Sequence, residues 1–345
     1  MKFTLALILL LFVAPVQADT KRIAQGFGVI WGIEFINAYH LIVAEKSGQI
    51  TFLDLSSNEK TPLMQVPDLF TNGQGGLMDV AYHKPSQTLY FTYSKKMPQG
   101  TTLALASAML KGKSLSDWQD IFIADAYSNT SRHFGSRIAI VDQHLFISIG
   151  DRGERDNGQD LTNHAASILR LNLDGSVASG NPFKQNPAVW SYGHRNPQGL
   201  FYDAPSETLW SIEHGPRGGD EINKIIAGEN YGWPLASHGK EYWGPISVGD
   251  AKSLPGMKDP LLVYVPSIAP SNLIMYRGDR YPNLNGKLLA GALKLKHINV
   301  VAVDGETLTE ERRVAQSLDQ RIRDITISQD GYIYFSTDSG NIYRL

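Results

Sequence analysis

The stretch DITISQDGYIYFSTDSGNIYRL (residues 324–345) holds three short runs of β-type residues separated by two tight turns. Apolar or β-branched residues alternate with polar ones, and QDG and DSG supply the Asp and Gly that such turns favour. The middle run, IYFSTDS at Ile333, has five earlier counterparts: LIVAEK at Leu41, LYFTYS at Leu89, LFISIGD at Leu145, LWSIEHG at Leu209 and LLAGAL at Leu288. A strand-like run precedes each: WGIEF, GLMDVAYH, SRIAIV, QGLFYD, NLIMYR and DITISQDG. Most are followed by a third: GQITFLDL, ILRLNLDG, DEINKII, INVVAV and GNIYRL. No later segment sustains a helical period. Six repeats of about fifty residues, each a small sheet unable to cover its own faces, predict an all-β fold: a six-bladed β-propeller of four-stranded antiparallel blades.

Residues 1–18, MKFTLALILLLFVAPVQA, read as a cleavable secretory signal. Lys2 is the charged start, Leu5–Val13 the apolar centre, and Val16-Gln17-Ala18 the small-residue cleavage site. The expectation is therefore export to the periplasm, with one propeller domain over residues 19–345. The formal net charge of −2 gives no basic surplus for nucleic acid or anionic lipid, and no later segment is long and apolar enough to span a membrane. There is no cysteine, so disulfides, thiolate metal sites and thiol nucleophiles are excluded.

The repeat spacing widens to 64 residues between Leu145 and Leu209 and to 79 between Leu209 and Leu288. In that region lie GHRNPQG (residues 193–199), EHGPRGGDEIN (213–223) and NYGWP (230–234), dense in Gly, Pro and charge. Arg195 and Asn196 are donors for an oxygen-rich anion. The Gly215-Pro216 turn leaves carbonyls that a hard cation such as Ca²⁺ accepts, with Asp220 and Glu221 close behind on opposite faces of a strand. These acids read equally well as hydrated loop groups. His133, in RHFGSR, suits a general base near neutrality; His194 and His214 rank beside it on sequence. Arg321 and Arg323 share a strand face, where like charges repel unless an anion lies between them; an ordinary solvated face is the alternative. DRGERDNGQD (151–160) fails as an EF-hand, since its twelfth position is Thr162, and reads as a polar loop. No GxGxxG, P-loop, HExxH or GxSxG pattern occurs, which removes nicotinamide, nucleotide, zinc-helix and esterase readings.

In order along the chain, GQGGLMDVAYH, HFGSR, IGDRG, LRLNLDG, GHRNPQG, EHGPRGGDEIN, NYGWP, GALK and RIRD resemble the soluble pyrroloquinoline quinone-dependent sugar dehydrogenases, in particular the periplasmic aldose sugar dehydrogenases. The resemblance runs from about Gly26 to Leu345. It implies oxidation of the aldose C1 hydroxyl to the lactone, with pyrroloquinoline quinone and Ca²⁺ as cofactors. Carried over by position, His133 is the base, with Asp220 and Arg195 at the reacting centre. Gln74, Arg195, Asn196, Tyr242, Ala292, Leu293, Lys294, Arg321, Ile322 and Arg323 hold the quinone. The carbonyls of Gly215 and Pro216 bind the active-site calcium, and Glu221 and the Tyr231 carbonyl a structural one. Electrons pass on to an acceptor that the motifs do not identify.

Two positions depart from the glucose-dehydrogenase branch. Arg152 stands where that branch has a glutamine near the sugar, and Arg132 replaces an acid before the base. Both favour a broader aldose preference, with Arg152 as a substrate residue. A Ca²⁺-dependent propeller lactonase or hydrolase, or a non-catalytic carbohydrate-binding propeller, are the competing expectations; neither needs the cations Lys294, Arg321 and Arg323.

Overall fold

The computed structural model describes residues 20–345; the expected signal and its cleavage site lie outside them. Six four-stranded antiparallel sheets form the ring, as the repeats predict. Their innermost strands are Ile30–Asn37, Leu77–His83, Ile138–Val141, Pro197–Asp203, Pro270–Met275 and Ile322–Ile327. The recurring runs at Leu41, Leu89, Leu145, Leu209, Leu288 and Ile333 are the second strand of each blade. Helix among the described residues is confined to short 3₁₀ turns.

The outermost strands carried no signal in the sequence because they are half-exposed and lack a clean alternation, as in Glu59–Gln65 and Ser114–Ile123. One of them comes from the other end of the chain. Lys21–Ala24 pairs antiparallel with Ile342–Arg344 and completes the sixth blade, so the two ends lock the ring shut.

Apolar side chains pack blade against blade. Six clusters bridge the six junctions: Leu77 and Phe91 meet Ile42 and Phe52 between the first two blades, and Tyr334 and Ile342 meet Ile30 and Val43 where the ring closes. At the axis, Arg137 is 2 % exposed and its guanidinium reaches four other blades. It pairs with Asp79 and Asp324 at 2.9 Å each and donates to the carbonyls of Gln198 (2.7 Å), Ser271 (2.6 Å) and Arg323 (3.1 Å). The second oxygen of Asp324 accepts the Ile33 amide of the first blade at 2.7 Å, so one buried polar hub touches every blade. Deeper along the channel is a cavity of about 340 Å³ lined by all six innermost strands, Glu34, Tyr82 and Tyr202 included.

Adjacent strands alternate in direction, so the links entering each innermost strand and the turns joining second to third strands emerge on one face of the ring. Gln74, His133, Arg195 and Arg321 lie on such links; Lys46, Asp151, Gly215, Lys294 and Asp338 lie on such turns. The fold therefore gathers residues far apart in sequence around one mouth.

Candidate active site

His133 is held from two sides. Its amide donates to Gln74 Oε1 at 2.7 Å, and its Nδ1 lies 2.6 Å from Asp151 Oδ1. Asp151 is 1 % exposed; its other oxygen accepts Trp233 Nε1 at 2.9 Å, and Oδ1 also takes the Gly153 amide at 2.8 Å. A carboxylate can only accept, so the proton sits on Nδ1 and Nε2 keeps its lone pair. Gly150 lets the neighbouring turn press against His133, since a Cβ there would collide with the His133 carbonyl. Burial lowers the His133 pKa; the Asp151 bond opposes this and the nearby Arg195 adds to it. The imidazole is thus neutral at neutral pH.

Arg195 lies next to it. Its guanidinium donates to the carbonyls of His214 (3.1 Å) and Gly215 (2.7 Å) and sits over the Trp233 ring at 5.2 Å, while its buried Nε has no partner. Its amide donates to Glu213 Oε2 at 2.6 Å. Asn196, 3 % exposed, accepts the Gly135 amide at 3.1 Å. Of the other histidines left open by the sequence, His194 is fully buried between Ser191 and Glu213. His214 is pushed down to about 3 by burial and by the nearby Arg195 and Arg323 guanidinium groups, and its Nε2 donates to the Pro270 carbonyl. His214 has a carbonyl rather than a carboxylate behind its ring, and both ring nitrogens of His194 are engaged, so only His133 among the three pairs a free nitrogen with a carboxylate on the other.

The cations of the fifth and sixth blades meet at the same mouth. Arg321 and Arg323 do share an anion, but it belongs to the chain: Asp338 takes Arg321 Nε at 2.6 Å and Arg323 at 2.7 and 3.0 Å. Although burial raises it, these two guanidinium groups hold the Asp338 carboxyl below its usual range. Arg323 is 6 % exposed and stacks over Trp31 at 4.1 Å. Arg321 also donates to the Leu293 carbonyl at 3.3 Å, which ties it to the turn bearing Lys294; Ala292 and Ile322 are buried beside that junction. Lys294 is exposed. Lys46, whose Nζ donates to the Gly73 carbonyl at 2.6 Å, is lowered by burial and by Arg323. One carboxylate among these cations leaves the mouth with a positive surplus.

Beneath Gly215-Pro216 is a single-atom-sized space of about 10 Å³ lined by Glu213, Gly215, Pro216, Glu221 and Tyr231. Burial and the adjacent Glu213 push Glu221 well up. Two neighbouring acids without a cation, below carbonyls with free lone pairs, have the chemistry of a hard-cation pocket. Among the described residues no three His, Asp or Glu side chains form a ligating cluster, so carbonyls must supply much of any such shell.

Three expectations change. Asp220 does not reach His133; its oxygens accept the Gly215 amide (2.9 Å), the Ala269 amide (2.9 Å) and the Ser267 hydroxyl (2.5 Å), shaping the carbonyl turn instead. The acid that orients the histidine is Asp151, inside the run read as a polar loop. Arg152 is fully buried and cannot meet a sugar: it stacks on Phe134 at 3.6 Å and bonds the Arg132 carbonyl, the Ala126 carbonyl (3.2 Å) and Thr101 Oγ1 (3.0 Å). Tyr242 is 65 % exposed at the rim, adjoining Glu241, which pairs with Arg155. Asp338 and Trp233 were assigned no role from the sequence; only the D-S-G turn and the W of NYGWP marked their places.

The sequence profile of the Glucose / Sorbosone dehydrogenase family matches residues 27–344. Aldose sugar dehydrogenase YliI of Escherichia coli (strain K12) is 33 % identical over 351 residues, covering 97 % of this chain and 94 % of that one. Quinoprotein glucose dehydrogenase B of Acinetobacter calcoaceticus is 26 % identical over 386 residues, covering 86 % and 80 %. The crystal structure of the soluble aldose sugar dehydrogenase from Escherichia coli in the apo-form superposes with a TM-score of 0.90 at 31 % identity, covering 94 % of this chain and 98 % of that one. With nearly its whole length matched and a histidine–aspartate pair beside a cation-lined mouth, this chain belongs to the glucose/sorbosone dehydrogenase family.

Proposed function

We propose that this protein is a periplasmic aldose dehydrogenase that oxidises the sugar C1 hydroxyl to the lactone, with pyrroloquinoline quinone as oxidant and Ca²⁺ beside it. The observation that carries the reading is the His133–Asp151 pair next to Arg195. It is a base with its proton-accepting nitrogen free, within reach of cations suited to an anionic redox group. The names of the relatives above support the substrate and the quinone.

The residues fit the quinone. Its three carboxylates match a donor-only set of Arg195, Lys294, Arg321 and Arg323, with Gln74, Asn196, Tyr242 and the backbone of Ala292, Leu293 and Ile322 around them. The orphaned Arg195 Nε is a buried donor awaiting an acceptor. One Ca²⁺ fits the small cavity lined by Gly215, Pro216, Glu221 and Tyr231; a second ion would need a site of its own, with the Gly215 and Pro216 carbonyls serving one and Glu221 and the Tyr231 carbonyl the other. When bound, the quinone held by these residues would supply a hydride acceptor, and Ca²⁺ at the carbonyl turn would supply a Lewis acid.

The rest is the work of the chain. His133 Nε2 accepts the C1 hydroxyl proton as the C1–H bond breaks, so the sugar loses one proton and one hydride and leaves as lactone. Asp151 holds the imidazole in the needed tautomer and stabilises the imidazolium. Arg195, fixed by two carbonyls and Trp233, adds positive charge without having to move. Asp220 positions the Gly215-Pro216 carbonyls.

Reconstituting purified apoprotein with pyrroloquinoline quinone and Ca²⁺ and following dye reduction across a panel of aldoses tests this directly. Aldose-dependent reduction requiring both additions is expected. Hydrolysis of lactones with Ca²⁺ alone, and no oxidation, would replace it with the hydrolase reading. Periplasmic fractionation and a mature N-terminus at Asp19 are the expected outcomes for localisation.

A further inference from the structure

Beyond the Arg137 hub the channel widens into the cavity of about 340 Å³. The innermost strands all run away from the mouth, so residues later in each strand lie deeper. Gly32 abuts the Asp79 backbone and Gly199 that of Asn272, which sets these positions at the level of the hub. Glu34 follows Gly32 by two residues; Tyr82 and Tyr202 follow Asp79 and Gly199 by three. At about 3.3 Å per residue they sit roughly 7–10 Å past the hub, on the side remote from His133.

Hydrogen-bond acceptors outnumber donors at the hub end of this cavity. All five N–H groups of Arg137 are engaged, by Asp79, Asp324 and the carbonyls of Gln198, Ser271 and Arg323. The Asn272 amide nitrogen is held by Asp324, while its oxygen is buried without a partner in a residue only 9 % exposed. Glu34 lines the same space with no cation beside it among the described residues: burial, Asp324 and Asp79 act against its charge, and the Tyr82 amide alone favours it. Arg137 already faces two carboxylates with one charge, so an ionised Glu34 adds to a local negative excess.

That imbalance sets what the cavity can take: a guest bringing both N–H donors and positive charge. A bare metal ion is poorly served. Among the described residues no three His, Asp or Glu side chains converge as ligands, and the volume is that of a small-molecule pocket rather than an ion site. Tyr82, Tyr202 and Ile274 line the way out, offering apolar surface to CH₂ groups and aromatic faces to a cation. We propose that the channel behind the hub binds a primary alkylammonium ion, its N–H donors on Glu34 and the Asn272 oxygen and its chain running outward between Tyr82 and Tyr202. The guest takes the place of the proton that Glu34 otherwise keeps, and it gives the axis a second cation, which strengthens the joint between blades. The site lies across the hub from the candidate active site and does not depend on the dehydrogenase reading.

Calorimetric titration of the mature chain at pH 8 with n-butylamine and putrescine tests this, in wild type, Glu34→Gln and Glu34→Asp. Tetramethylammonium, Na⁺ and Ca²⁺ at equal ionic strength are the comparisons. One saturable amine site is expected, not displaced by tetramethylammonium, which carries the charge without an N–H. Loss of a charge-assisted hydrogen bond predicts about tenfold or weaker binding in Glu34→Gln, with part of it recovered in Glu34→Asp. No saturable site, equal affinity in Glu34→Gln, or full displacement by tetramethylammonium overturns the assignment. So does Ca²⁺ binding that is lost in Glu34→Gln while the amines do not bind. Wild-type crystals soaked in putrescine give an answer independent of the variants: chain density between Tyr82 and Tyr202 supports the site, and its absence there overturns it.

Discussion

A histidine on a loop between two strands is chemically ambiguous until its neighbours are known. Asp151 removes the ambiguity for His133 by fixing the proton on Nδ1, and the desolvated position keeps the ring neutral. His133→Ala is expected to lower kcat by about 10²–10⁴, the usual contribution of a general base, while quinone affinity measured by titration changes little. Asp151→Asn separates orientation from proton affinity. The Asp151 bond raises the His133 pKa against burial, so its loss should move the acidic limb of the kcat/KM profile to lower pH even as the plateau drops. A limb that stays in place would show that the aspartate does not control this titration. The same scale explains the loss of Arg152 as a sugar contact. Nothing in GDRG distinguishes an arginine that faces solvent from one enclosed by the carbonyls of Ala126 and Arg132.

At the scale of the strand, short β-rich runs bounded by turn residues placed the first and second strands of all six blades, because burial on both faces of the second strands leaves near-continuous apolar stretches. Outer strands lacked it and had to be inferred from the blade count. The innermost strands also carry a feature that no single strand reveals, the Arg137 hub. Asp79, Asp324 and Arg137 look like ordinary strand-end charges in sequence, yet they meet at the axis. Arg137→Met should cost about 3–5 kcal/mol in urea unfolding at pH 8, because it leaves two buried carboxylates unpaired. The cost should shrink on acidification, since burial already raises both aspartates and their protonation removes the unpaired charge.

For the whole molecule, stability depends on closure and on what the channel encloses. Deleting residues 20–24 removes the strand that completes the sixth blade and exposes the edge Ile342–Arg344. A lower Tm with loss of cooperativity is expected by calorimetry. Glu34 faces the channel and is pushed up to about 8, first by burial and then by Asp324 and Asp79. An unfolded glutamate loses its proton near 4.5, so between about pH 4.5 and 8 the folded state binds more protons and this group makes stability fall as pH rises. Glu34→Gln should flatten that slope in urea midpoints measured across the window; an unaltered slope would place the dependence elsewhere.

Local chemistry was enough to establish the six-fold repeat and the propeller, because short β-rich runs and turn residues are written within a few positions of each other; among three histidines it singled out none. Which groups touch was settled only when the ring closed. Asp151 behind His133, Asp338 between Arg321 and Arg323, the hub at Arg137 and the pairing of the two chain ends all join segments from separate turns or blades. Their encounter depends on the curvature of the whole ring, which no short window of sequence encodes.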